Sequence, residues 1–494
     1  MRRQGTGPRR VIAAALAVIL LPGMTACEAT GTQRDAGGSA REKAAPRTKT
    51  VSATPTPTDA PRRDERGGRA GRDRGMPVPD SGSAVDTTRL AAQLQQALDE
   101  QRFGEGIVDL TLDRRTAMPN VDVAVIELDA SGRPSAVANA VMSADHPHGA
   151  VVPIGENLGT TKVRWRRWDI NAWEAGRAGT EDVVRGREDA PLEFMSPYPA
   201  SVVKLMVGFG VLRAVDRGQL SLDDRLSYTG TPENCAARGE KLTRDVRDWF
   251  DRMITVSDNA ATCVLLARLH DLETVEPLNA TFRRVGLTTL QVRGTDPETG
   301  GWWLDMNMSA LDTARLLLVL SGAPGTLWRT REGAAVTADL LSPSSRAFFT
   351  RTLGQQGLNH ALSTSNWCGR EYPASGIPQR VPERWIRRTD GTVTVDGRAY
   401  RQDVRPCNRR AEVTFAHKTG LSMEAAADVG IVRSLPGAPE RHYIVAVFTN
   451  LGQRFTDADK PADPPGTYPV AYTEKIAKLG DRIDTIMIER HASH

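Results

Sequence analysis

The stretch 197-PYPASVVKLMVGFGVLRAVDRG-218 decides how this chain is read. From Ala200 to Leu212, Ser201 and Lys204 are the only polar side chains. Three residues apart, they fall on one helix face within reach of each other. The run is apolar enough to predict a buried helix ending near Gly218; Gly208 and Gly210 weaken it locally and permit close packing. A hydroxyl and an amine placed this way have two readings. One is a capping serine beside a snorkelling surface lysine. The other is a nucleophile beside its base.

The chain has 494 residues, long enough for a large core or several domains. Its net charge of +4 is small for this length, and aromatics make up 5%. No Arg/Lys stripe is interleaved with aromatic residues, so nucleic acid is not an expected partner. The chain opens with a positive region, MRRQGTGPRR, followed by the eleven apolar residues VIAAALAVILL, too short for a comfortable membrane span. PGMTAC follows, and Thr25-Ala26-Cys27 resembles a bacterial lipobox, with Met24 where Leu is usual. That resemblance implies cleavage before Cys27 and a lipid anchor there, holding an exported protein at the outer face of the cell membrane. The alternative is a plain secretory signal cleaved near Ala26, giving a secreted protein. The Arg9-Arg10 pair also hints at twin-arginine export.

With Cys27 set aside, Cys235, Cys263, Cys368 and Cys407 remain. An even number in an oxidising compartment suggests two disulfides, and proximity favours Cys235 with Cys263 and Cys368 with Cys407. No CxxC occurs and histidine is scarce, which argues against a metal site; no cofactor is expected. Residues 28–86 are rich in Gly, Pro, Ser, Thr, Arg and Asp, cannot bury enough surface to fold, and read as a disordered tether.

Order is expected from 87 to 494. Leu90, Leu94 and Leu98 predict a helix capped by Thr87 or Thr88 and stopped at Gly104. VDVAVIEL and the segment after the DASG turn predict two strands. Residues 143–193, carrying Trp165, Trp168 and Trp173, read as an insertion without an assigned role, and residues 363–410 as a second one. Helical segments are expected on both sides of Ser257-Asp258-Asn259, again at LDTARLLLVLSG and SPSSRAFFTRTL, and at the C-terminus. EVTFAHKTGLS, AADVGIVRSL and RHYIVAVFTN predict three more strands. The sum is an α/β (α+β) body of antiparallel sheet and helices.

Three short motifs then stand in order: Ser201-x-x-Lys204, Ser257-Asp258-Asn259 and Lys418-Thr419-Gly420, with 56 residues from Ser201 to Ser257. Here the chain resembles the penicillin-recognising serine hydrolases, class A β-lactamases most closely. Order and setting carry the likeness: the first motif opens an apolar helix, the second lies between helices, the third ends a strand. The resemblance implies a β-lactamase/transpeptidase-like fold, with an antiparallel sheet flanked by helices, an all-helical subdomain and the two insertions as departures. It implies an acyl-enzyme on Ser201 with Lys204 as base, Ser257 relaying a proton, and Asn259, Lys418, Thr419 and Gly420 holding a β-lactam or D-Ala-D-Ala substrate. The amides of Ser201 and Leu421 would receive the oxyanion, and Asp258 would be structural.

An alcohol needs such a base, and a lysine serves as one when burial or a second cation lowers its pKa. Class A enzymes hydrolyse the acyl-enzyme with a glutamate, and the candidate is Glu298, 41 residues after Ser257, with Asn307 as a water-holding partner. The family's E-x-x-L-N spacing is absent: Gly300, Gly301 and Trp302 follow. The expected function is therefore a class A-type β-lactamase acting as a monomer; a D,D-carboxypeptidase is the alternative, and a weakly active lipoprotein binding module a third.

Overall fold

The computed structural model describes residues 86–109, 114–115, 118–228, 235, 242–302, 305–369, 375–457 and 474–492. The signal segment, Cys27 and all of the tether except Asp86 lie outside the described residues.

Helix α1 (Thr88–Glu100) puts Leu90, Leu94 and Leu98 into the core. Thr87 occupies its N-cap without a side-chain hydrogen bond. Asp86, assigned to the tether, caps it instead: Oδ1 accepts from the amides of Thr88 and Arg89 at 3.1 and 3.2 Å. Strand β1 (Val121–Leu128) turns through Asp129, whose Oδ1 accepts from the Ser131 and Arg133 amides, into β2 (Pro134–Ser143). A third strand, β3 (His146–Val151), extends the sheet within the segment assigned to the first insertion. Its residues HPHGAV are half exposed on an edge, so no apolar alternation marked it.

After α2 (Lys204–Asp216) come α3 (Val246–Thr255), α4 (Asn259–Asp271), α5 (Val275–Arg284), α6 (Ala310–Ser321) and α7 (Pro343–Leu353). Strands β4 (Val413–Leu421), β5 (Ala426–Ser434) and β6 (His442–Thr449) and helix α8 (Glu474–His491) close the chain. The sheet runs β4-β5-β6-β1-β2-β3, every pair antiparallel, which leaves β4 on an edge. One face packs on the helical middle through Ala124, Ile126, Val429 and Ile444; the other packs on α1 and α8 through Val123, Val125, Val445 and Val447. Each of these buried valines and isoleucines stabilises the fold by about 1.5–3 kcal/mol.

Helix α2 is buried nearly all round, as its sequence requires. A Cβ at Gly208 would stand 2.8 Å from Phe349, and one at Gly210 2.9 Å from Leu278, so both glycines permit close approach. The first insertion splits its tryptophans: Trp165 meets Phe194 edge-on at 5.9 Å in a small cluster, whereas Trp168 and Trp173 join the main core. The second insertion has its own cluster around Trp367, Val393 and Tyr400. Val256 and Leu421 pack against that cluster, so it buttresses the residues flanking two of the motifs. Disulfides join Cys235 to Cys263 and Cys368 to Cys407, with Cα separations of 6.0 and 5.9 Å.

Candidate active site

Ser201 sits on a 3-10 turn, Ala200–Val203, that feeds directly into α2. Ala200 before it holds φ +46°, a left-handed conformation that non-glycine residues rarely adopt. Lys204 begins α2, fully buried, with Nζ 3.0 Å from Ser201 Oγ. The same Nζ lies 2.6 Å from Ser257 O, 3.0 Å from Ser257 Oγ and 2.7 Å from Asn259 Oδ1. The backbone carbonyl and the amide oxygen can only accept. An amine that donates two N–H bonds to them turns its remaining position, a proton or a lone pair, toward the hydroxyls. In the neutral form that lone pair is aimed to take a hydroxyl proton.

Ser257 lies between α3 and α4 with φ +61°, another left-handed non-glycine residue, costing about 1–3 kcal/mol. Asp258 holds this corner: one oxygen caps Ala261 N at 3.1 Å and the other accepts from Arg252 Nε at 2.7 Å. That is the structural part expected of it. Asn259 starts α4, and its Oδ1 accepts from Lys204.

Lys418, on β4, reaches Ser257 Oγ at 3.0 Å from the other side and donates to the Thr419 carbonyl at 2.7 Å. Burial, and then the charge of Lys204, hold its pKa well below the usual lysine range, with Asp428 opposing. Thr419 is buried in register with Asp428. Gly420 is required: a Cβ there would stand 2.7 Å from Pro199 O and 3.2 Å from Ser201 N. The end of the edge strand can therefore lie against the turn that carries Ser201, with Leu421 as its last residue.

Glu298 does not join this group. Asp296 Oδ1 accepts from the Glu298 and Thr299 amides at 2.9 and 2.8 Å, forming a tight turn that leaves Glu298 exposed at its tip. A Cβ at Gly300 would stand 1.9 Å from Cys263 O, so the turn lies flat on α4. Among the described residues the Glu298 carboxylate makes no hydrogen bond or ion pair. Asn307 is buried and donates to Thr289 O at 3.2 Å, a role in holding the backbone. These placements correct the expectation of a glutamate–asparagine water site. The Gly300-Gly301 pair that broke the expected spacing also serves the turn that carries the glutamate away.

Two features escaped the sequence reading. Trp302 is buried, with its ring centroid 5.9 Å from Lys204 Nζ, giving the amine an apolar, cation-favouring wall. Behind Lys418, His417 faces Asp428 Oδ1 at 2.7 Å and Asn359 Oδ1 at 2.8 Å. Asn359 Nδ2 donates to Gln356 O and Asn366 Oδ1, which fixes its oxygen toward the histidine. This buried network fixes the strand one residue before Lys418. The neighbouring His in HKTG was the available signal.

His360, also buried, is pushed down to about 3 by burial, then by the charges of Arg398, His417 and Lys418. Below about pH 6.5 an unfolded histidine takes a proton that the folded one refuses, so stability falls as pH falls toward 3. His442, pushed down to about 4 by burial, acts in the same direction. Between pH 7 and 4.5 the wild type is expected to lose about 2–3 kcal/mol on account of His360, a loss absent in His360→Gln. Urea unfolding of both proteins at the two pH values checks this; equal losses would remove His360 from the account.

The model of the Beta-lactamase enzyme family matches residues 195–464, more than half of the chain, and the chain belongs to that family. The match takes in all three motifs. No curated protein matches the chain. Solved structures similar to it include a mutant of PBP-A as its acyl-enzyme complex with penicillin G, at 17% identity over 82% of this chain and 100% of that one, TM-score 0.43. A β-lactamase from Sphaerobacter thermophilus DSM 20745 is 14% identical over 82% and 98%, TM-score 0.40. One from Chitinophaga pinensis DSM 2588 is 15% identical over 81% and 99%, TM-score 0.39.

Proposed function

We propose that this protein is a serine acyl hydrolase that opens β-lactam amides through an acyl-enzyme on Ser201. The observation that carries this reading is the chain of 3.0 Å contacts running Ser201 Oγ, Lys204 Nζ, Ser257 Oγ, Lys418 Nζ. Ser201 Oγ attacks the lactam carbonyl carbon as Lys204 takes its proton. The oxyanion is received by the amides of Ser201 and Leu421, donors worth about 3 kcal/mol each. The C–N bond then breaks, and Ser257, hydrogen-bonded to both lysines, passes a proton to the departing nitrogen. Lys418 and Thr419 hold the substrate carboxylate, and Asn259 Nδ2 its amide carbonyl. Gly420 lets the substrate lie along the edge strand. Export and a lipid anchor on Cys27 belong to the same reading, supported by the N-terminal sequence.

The second reading, a D,D-carboxypeptidase acting on D-Ala-D-Ala ends, is favoured by the position of Glu298. Without a carboxylate to activate water, the acyl-enzyme is long-lived. Intact-mass spectrometry over time after adding a penicillin tests both readings. A mass gain of one intact β-lactam is expected within minutes. Rapid decay of the adduct supports the β-lactamase, and persistence with D-Ala release from a peptide supports the peptidase. No adduct at all, with the penicillin left unhydrolysed, would overturn both. Glu298→Gln is expected to leave the decay rate within about twofold, because this exposed carboxylate touches none of the reacting groups; a trapped adduct in that variant would restore Glu298 to the mechanism.

A further inference from the structure

A cleft of about 850 Å³ is lined by none of the residues gathered around Ser201. Three separate segments wall it: residues 156–187 of the first insertion, the end of α5 with the loop through Thr289, and the loop 329–332. Its floor is the buried pair Arg315–Asp312, 3.0 Å apart. Arg315 also donates to Gly286 O and Asn157 O and stacks over Trp328 at 4.4 Å, so its charge is matched and its position fixed.

Six other arginines line the cleft. Arg283 pairs with Glu276 at 2.5 Å, whereas Arg185, Arg187, Arg284, Arg329 and Arg331 form no ion pair among the described residues. Arg187 is half-buried, with one long contact of 3.4 Å to Thr288 Oγ1. Burial holds its pKa below the usual arginine value. Several arginines elsewhere are paired, among them Arg252 with Asp258, Arg384 with Asp251, Arg441 with Asp484 and Arg490 with Glu127, all at 2.7–2.8 Å. Besides Asp312, the carboxylates of the lining are Glu156 and Glu332, both exposed, as are Arg185, Arg284 and Arg331. Thr160, Thr161, Thr288 and Thr330 add hydroxyl donors.

Gathering unmatched guanidinium groups from three segments costs mutual repulsion, and half-burying one of them costs solvation. An incoming anion relieves both, and guanidinium forks match phosphate and carboxylate oxygens in pairs. The volume falls within the range of sites for small organic ligands, about 300–1,000 Å³, and exceeds what a lone inorganic ion fills. We propose that this cleft binds a multiply charged oxyanion of cofactor size, carrying two or more phosphate or carboxylate groups. The first insertion, which had no assigned role in the sequence, supplies one wall of the site.

Calorimetric titration of the full chain with inorganic pyrophosphate and, separately, with citrate tests the proposal at constant ionic strength set with NaCl. Saturable binding of at least one anion at or below about 1 mM is expected, about tenfold weaker in Arg187→Ala and in Arg284→Ala. Preference between the two anions assigns the phosphate or the carboxylate source. Both substitutions lie outside the Ser201 site, so an unchanged rate of penicillin adduct formation reports that the variants are folded. No saturable binding of either anion up to about 10 mM, or binding indifferent to both substitutions, would overturn the proposal.

Discussion

Ser201→Ala gives no covalent adduct with a penicillin under conditions in which the wild type is fully modified, and turnover falls by about 10⁴-fold or more. The expectation follows from geometry. Ser201 Oγ is the hydroxyl on the turn before α2, it meets Lys204 Nζ at 3.0 Å, and the end of the edge strand lies against its backbone nitrogen. Removing one oxygen from a partly exposed side chain leaves the turn Ala200–Val203 intact, so the melting temperature shifts by only a few degrees. Peptide mapping of the wild-type adduct should place the added mass on the segment containing Ser201. An adduct of undiminished yield in the alanine variant would place the nucleophile elsewhere and end the proposed mechanism.

Lys204→Met keeps the buried stem and removes the amine. Adduct formation is expected to slow by about 10³-fold and not to vanish, because the nucleophile remains while its base is lost. Ser257 O and Asn259 Oδ1 lose a donor, at about 1–3 kcal/mol each, while the repulsion between the two buried lysines disappears. Stability therefore changes less than rate. A merely structural lysine would give the reverse: a lower melting temperature with an unaltered rate and pH profile. Rate against pH separates the cases, since the rate limb belonging to the base should be missing from the methionine variant.

Much of the site was legible because it is local or punctuated. One helical turn fixes Ser201 beside Lys204 whatever the rest of the chain does. Asp258 lies between two helical segments and caps the second, so the corner carrying Ser257 could be placed before any tertiary contact was known. Lys418 to Gly420 end a strand whose alternation is plain. Glu298 misled because position along the chain was its only credential. Its direction was set by the Asp296 turn and by Gly300 packing on α4, neither of which the match in spacing could register. Trp302, and the partners Asp428 and Asn359 of His417, were missed for a related reason: burial among residues far apart in the chain leaves no periodic trace.

The sequence alone determined the amphipathic and buried segments and the order of the three motifs, and favoured the short-range pairing of the cysteines that the structure shows, since each depends on neighbours a few to a few tens of residues away. Only the tertiary structure decided that Lys418, more than two hundred residues from Lys204, shares Ser257 Oγ with it. It also decided that unpaired arginines from three segments line one cleft. The physical reason is that charge and hydrogen bonding act over a few ångströms of space, and which distant residues come that close is settled by how the sheet edge and the helices pack.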